Sequence, residues 1–114
     1  VDALVSGAGI GAWNFGPDAS SFRTVRDVAD RAARTWGHGA AWIPDDGEHP
    51  HEEAVLTLNA QRARRELGWR DALDFDEAVG WTVDWYRRVE DGASPLDVTQ
   101  GQIKEYESHI GVRR

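Results

Sequence analysis

The chain has no cysteine and no methionine. Without cysteine there is no disulfide, no thiolate nucleophile and no cysteine-ligated zinc. That composition fits a reducing, cytoplasmic setting. Without methionine the sequence does not begin at an ordinary start codon, so a piece of a longer polypeptide is expected. Long apolar runs are missing too. None approaches the roughly 18 residues that a membrane-spanning helix needs. The opening Val1-Asp2-Ala3-Leu4-Val5 lacks the basic leader of a signal peptide. Positive charge is scarce: 13 Lys and Arg face 20 Asp and Glu, a net charge of −7. Non-specific nucleic-acid binding depends on phosphate neutralisation and is disfavoured. A small anion remains open, because it needs only a local cationic or N–H-rich spot.

What is present suffices for a folded domain. The 114 residues have the length of one domain, and six Trp, three Phe and two Tyr can supply large buried surfaces. Gly7-Ala8-Gly9-Ile10-Gly11 superficially resembles a dinucleotide-binding loop. That loop needs a strand before it and a helix after it. Here Trp13 and Phe15 alternate with Ala12, Asn14 and Gly16, so a short strand follows the glycines instead. A flexible connection is the preferred reading of the glycines.

The remaining elements follow in order. Thr24 with Asp27 reads as a capping box, and Val25, Val28, Ala29, Ala32 and Trp36 trace a helix that Gly37 ends. Ala40-Ala41-Trp42-Ile43, closed by Pro44, and Ala54-Val55-Leu56-Thr57-Leu58 read as two more short strands. Asn59 caps a helix over Ala60 to Leu67 with Gly68 as its stop, and Trp69 is expected to pack back onto it. Asp74 with Glu77 opens the longest helix, which ends at Gly92. Ser94-Pro95 reads as a linker, and Thr99 with Gln102 as the cap of a last helix bearing Ile103, Tyr106 and Ile110. The expected fold is therefore a mixed α/β fragment, with a few short strands and about four helices.

Chemistry concentrates in Gly47-Glu48-His49-Pro50-His51-Glu52-Glu53. Three readings stay open. His49 and His51 with Glu52 or Glu53 could hold a metal, since residues two apart in an extended chain share a side. The imidazoles and the backbone N–H groups beside Pro50 could meet a phosphate or hydroxyl. His and Glu could also act as acid and base, although no companion group stands out. A plain solvated loop explains the same residues without a ligand.

Several elements together resemble a known superfamily. They are Trp13-Asn14-Phe15-Gly16-Pro17, the Glu48-His49-Pro50-His51-Glu52 run, Leu67-Gly68-Trp69 and Thr82-Val83-Asp84-Trp85-Tyr86. In this order, over about Gly11 to Tyr106, they resemble the C-terminal, substrate-binding part of extended short-chain dehydrogenases/reductases. These are the NAD-dependent sugar-nucleotide epimerases and dehydratases. The Glu-His-Pro-His-Glu element resembles the CDP-glucose 4,6-dehydratase branch.

The resemblance implies an α/β architecture in which an N-terminal Rossmann half binds NAD and carries a Tyr-x-x-x-Lys pair. The C-terminal part, a single domain over residues 1–114, would bind a CDP-glucose-like nucleotide sugar. It implies an internal redox elimination of water in the full enzyme. His49 stands where relatives carry an arginine at the diphosphate, but it lacks the arginine fork. Pro50 and His51 continue that segment, and Glu52 takes its acidic position. Asn14 stands at the strand asparagine near the nucleotide.

No catalytic, NAD-binding or metal-binding residue is assigned to this chain. Tyr86 and Tyr106 both lack a lysine four residues on. The expectation is an inactive chain whose partners are the nucleotide sugar, the missing Rossmann half and, through uncovered apolar surface, a second copy. Neither nucleic acid nor membrane is expected. The alternative is a stand-alone metal-binding or protein-interaction module built on the His-Pro-His-Glu loop.

Overall fold

The computed structural model describes residues 11–48 and 57–111. It holds four α-helices: α1 (Val25–Trp36), α2 (Gln61–Leu67), α3 (Phe75–Glu90) and α4 (Pro95–His109). A short 3-10 turn covers Ala19–Ser21. Among the described residues no helix is long and apolar enough to cross a membrane. The chain divides into two compact units.

The larger unit takes Arg23–Asp45 and Ala72–Arg114 and contains α1, α3 and α4. Its helices start where side chains replace the missing intrahelical acceptors. Thr24 Oγ1 accepts the Asp27 N–H at 3.1 Å while the Asp27 carboxylate accepts the Thr24 N–H at 3.0 Å. Asp74 and Glu77 repeat this reciprocal pair at the head of α3. α3 lies between the other two helices. Towards α4, the Trp85 indole donates to Thr99 Oγ1 at 2.9 Å, and the Gln102 amide donates to the Trp81 carbonyl at 2.8 Å. Towards α1, Arg87 lies over the Trp36 ring at 5.3 Å and Arg31 pairs with Asp76 at 3.6 Å.

The smaller unit takes its described residues from Val1–Phe22 and Asp46–Asp71 and contains the 3-10 turn and α2. α2 has only seven residues, too few to be stable alone. Gly68 ends it in the left-handed region (φ 65°), which spares a Cβ clash, and the Trp69 N–H reaches back to the Ala63 carbonyl at 3.3 Å. Residues 12–18 run alongside as irregular chain. Among the described residues of the whole chain only Ala60, Ala63 and Val98 are buried. All six tryptophans are half-buried.

This architecture corrects the mixed α/β expectation: the described residues are helical, with no strand. The alternation at Ala12–Gly16 is real, but its rings are met by helix α2 and by Trp69 rather than by a neighbouring strand. Ala40–Ile43 is likewise irregular. Trp42 turns to α1, where its indole donates to Asp30 at 2.7 Å and Arg26 covers its ring, while Ile43 stays exposed. Alternation is a local property, and a strand exists only when a second segment satisfies its backbone. The strand expected at Ala54–Leu58 falls mostly outside the described residues, and Leu58 itself is irregular and exposed.

Two helix starts also move. α2 begins at Gln61, and Asn59 acts one residue earlier by accepting the Gln61 N–H at 2.9 Å. α4 begins at Pro95, not after Thr99. Ser94 is its N-cap and Pro95 its first residue, a position where the missing proline N–H costs nothing. Thr99 is free to face Trp85 because it caps nothing.

Candidate functional site

Of the residues expected to bind substrate, Asn14 is described, whereas His49, Pro50, His51 and Glu52 lie outside the described residues. The segment carrying Asn14 is held from both sides of that residue. On one side, the Trp13 indole donates to Glu66 at 3.1 Å. Arg62 donates to the same carboxylate at 2.9 Å and to the Ala12 carbonyl at 2.7 Å, and its guanidinium stacks over the Trp13 ring at 4.8 Å. On the other, Phe15 meets the Trp69 ring edge-on at 5.4 Å.

Arg64 secures the same segment further along. It donates to the Gly16 carbonyl at 3.2 Å and to Asp71 at 3.4 Å, lies 3.8 Å from Asp18, and covers Trp69. The Asp71 carboxylate returns to the segment by accepting the Asp18 N–H at 3.3 Å. Gly16 allows a close approach here, because a Cβ would sit 3.1 Å from that of Leu58 and push that neighbour back by a few tenths of an ångström.

Asn14 is left exposed on this braced segment, with no hydrogen bond to another described residue. Its amide therefore keeps two donors and an acceptor available to a ligand. The electrostatics around the brace are those of satisfied ion pairs. The hydrogen bond from Arg62 holds Glu66 below the usual carboxylate value, with Trp13 adding to it and burial opposing. Burial pushes Asp71 up, but the N–H groups of Asp18 and of Asp71 itself, together with Arg64, outweigh it and leave the group lowered. Neither carboxylate is poised for proton transfer near neutral pH.

Arg62 and Arg64 are the residues that sequence reasoning passed over. They sit two apart on α2 beside Ala63, which is 0% exposed. Their contacts reach residues some fifty positions away, so no local signal marks them. The other histidines do not extend the His-Pro-His stretch into a site among the described residues. His38 lies in an exposed turn with φ 53°. His109 Nε2 lies 3.4 Å from Glu77 and its ring meets Trp81. The described residues hold no group of three His, Asp or Glu side chains able to bind a metal.

Comparison with protein families found no match. Among curated proteins, the chain is similar to the CDP-glucose 4,6-dehydratase of Salmonella typhimurium, with 33% identity over 96 residues. The match takes in 84% of this chain and 27% of that enzyme, so the chain spans about a quarter of the length of the relative it matches.

Proposed function

We propose that this chain is the nucleotide-sugar-binding portion of an enzyme like CDP-glucose 4,6-dehydratase. The observation that carries the reading is the 33% identity over 84% of the chain to a region of that enzyme. The braced, exposed Asn14 supports it, because a nucleotide needs a positioned group that can both donate and accept. In this reading Asn14 meets the nucleotide and His49 the diphosphate. Pro50 restricts the backbone between the histidines, His51 adds a second N–H, and Glu52 accepts from a sugar or ribose hydroxyl.

In this reading NAD is held by the Rossmann half of the full enzyme and not by the described residues. No step of the redox chemistry is therefore assigned to them. Their contribution is to bind the nucleotide end and hold the sugar in place for groups supplied elsewhere.

Calorimetric titration with CDP-glucose, UDP-glucose and free CDP tests the reading, using this chain and the full polypeptide that contains it. CDP-glucose is expected to bind, and His49→Ala and Asn14→Ala are each expected to weaken it by about tenfold, the loss of one good hydrogen bond to a charged group. No binding to either protein, or binding indifferent to both substitutions, overturns the proposal.

A further inference from the structure

The smaller unit repeats one arrangement on either side of Asn14. Each of two arginines on α2 takes one backbone carbonyl, one carboxylate and one indole face. Arg62 takes the Ala12 carbonyl, Glu66 and the Trp13 ring. Arg64 takes the Gly16 carbonyl, Asp71 and the Trp69 ring. The two carbonyls thus lie two residues before and two residues after Asn14.

The two halves differ in exposure. The Arg64 side chain is 18% exposed and its partner Asp71 23%. Removing a group so enclosed strands its partners, so Arg64 supports the fold. The Arg62 and Glu66 side chains are 49% and 41% exposed. So open an ion pair contributes little to stability. What Arg62 sets is geometry. One edge of its guanidinium meets Glu66, its Nη1 holds the Ala12 carbonyl and its face covers the Trp13 ring. The Trp13 indole N–H donates to that same Glu66 oxygen. The ring is therefore held by face and edge together, and the chain leading into Asn14 is held by its carbonyl. Gly11 leaves room for this, since a Cβ there would sit 3.1 Å from the Trp13 ring and 3.4 Å from the Arg62 guanidinium. A lysine ammonium has neither the fork nor the flat face that these contacts use.

We infer that Arg62 is a positioning residue for ligand binding at Asn14. It fixes the chain before the ligand arrives, so that binding does not also have to order the segment. The inference rests on the reading that Asn14 meets the nucleotide sugar.

Titration of CDP-glucose into the 114-residue chain and into the full polypeptide that contains it tests the positioning role. Arg62→Ala is expected to weaken binding by about tenfold, the ordering of roughly one residue. The urea midpoint at the Trp69 indole should fall far less than in Arg64→Ala. Arg62→Lys keeps the charge and should lose nearly as much affinity, which separates geometry from charge attraction. Arg62→Ala combined with Asn14→Ala should lose about tenfold in total rather than about a hundredfold, because the arginine acts through the asparagine. In the ligand-free chain, the backbone order parameter at Asn14 should fall from about 0.85 to below about 0.6 in Arg62→Ala. A wild-type protein that binds no CDP-glucose overturns the nucleotide-sugar reading and the positioning role with it. Wild-type binding with additive losses, full affinity in either Arg62 variant, or unchanged order at Asn14 overturns the positioning role alone.

Discussion

The two units solve the problem of a small core in different ways. The larger one has three helices of 12, 16 and 15 residues. Each starts on its own cap and meets its neighbour through half-buried aromatic rings. The smaller unit has one seven-residue helix and otherwise irregular chain. Its order comes from two arginines that reach from that helix to carbonyls and carboxylates of residues 12–18 and to Asp71. Local helix signals can start the first kind of unit. The second exists only once residues some fifty positions apart have met. The candidate binding residue Asn14 sits in the second kind, where chain shape follows from side-chain bonds rather than from regular backbone ladders.

Substitutions can pull the units apart. Arg64→Ala should have the largest effect, about 2–3 kcal/mol, because it strands a carbonyl and a partly buried carboxylate together. The indole N–H resonances of Trp13 and Trp69 should collapse at lower urea while those of Trp81 and Trp85 hold. If all four move together, the two units share one transition. Ala63→Leu should cost about 2 kcal/mol by overpacking the one fully enclosed position of α2, again read at Trp13 and Trp69. Asp74→Ala should reverse the pattern. Losing the α3 cap costs about 1 kcal/mol, and should lower the urea midpoint at Trp81 and Trp85 only.

Acid provides the smallest and most general test. Glu66 and Asp71 in the smaller unit, and Asp27 in the larger, are held below their usual values. For Asp27 the causes are the Thr24 N–H first and the Thr24 hydroxyl second. A depressed carboxylate contributes stability that is present above its unfolded value and lost as pH falls through that value to the lower folded one. Acidification through the ordinary carboxylate range should therefore lower the urea midpoint at Trp13 and Trp69 more than at Trp81 and Trp85. Glu66→Gln should flatten part of that dependence. An equal fall at all four indoles would count against the ion pairs as the smaller unit's main support.

Four helices could be read from the sequence because their signals lie within a turn of one another. Thr24 with Asp27 and Asp74 with Glu77 are three residues apart, and Gly37 and Gly68 directly follow the last helical residue. Ser94-Pro95 carried the same information, but the pair serves a linker as readily as a helix start, and Thr99-Gln102 offered a second plausible cap. The strands were misread for a different reason. Trp13, Phe15 and Trp42 alternate with small or polar residues, yet whether such a segment pairs with a strand or leans on a helix depends on a distant partner. Within the candidate site, Asn14 could be picked out only by resemblance. The Arg62 and Arg64 contacts that brace its segment span about fifty residues, and no local pattern announces them.

By itself the sequence determined the absence of thiol chemistry, the acidic balance, the caps and stops of the helices, and the motif order that resembles a sugar-nucleotide enzyme. These follow from residue identity and short spacing. Only the tertiary structure decided that Trp13, Phe15 and Trp42 serve helices rather than sheets, and that two arginines of α2 shape the chain around Asn14. Each of these depends on which distant groups meet, and burial, ion pairing and backbone satisfaction are set by that meeting rather than by neighbours in the chain.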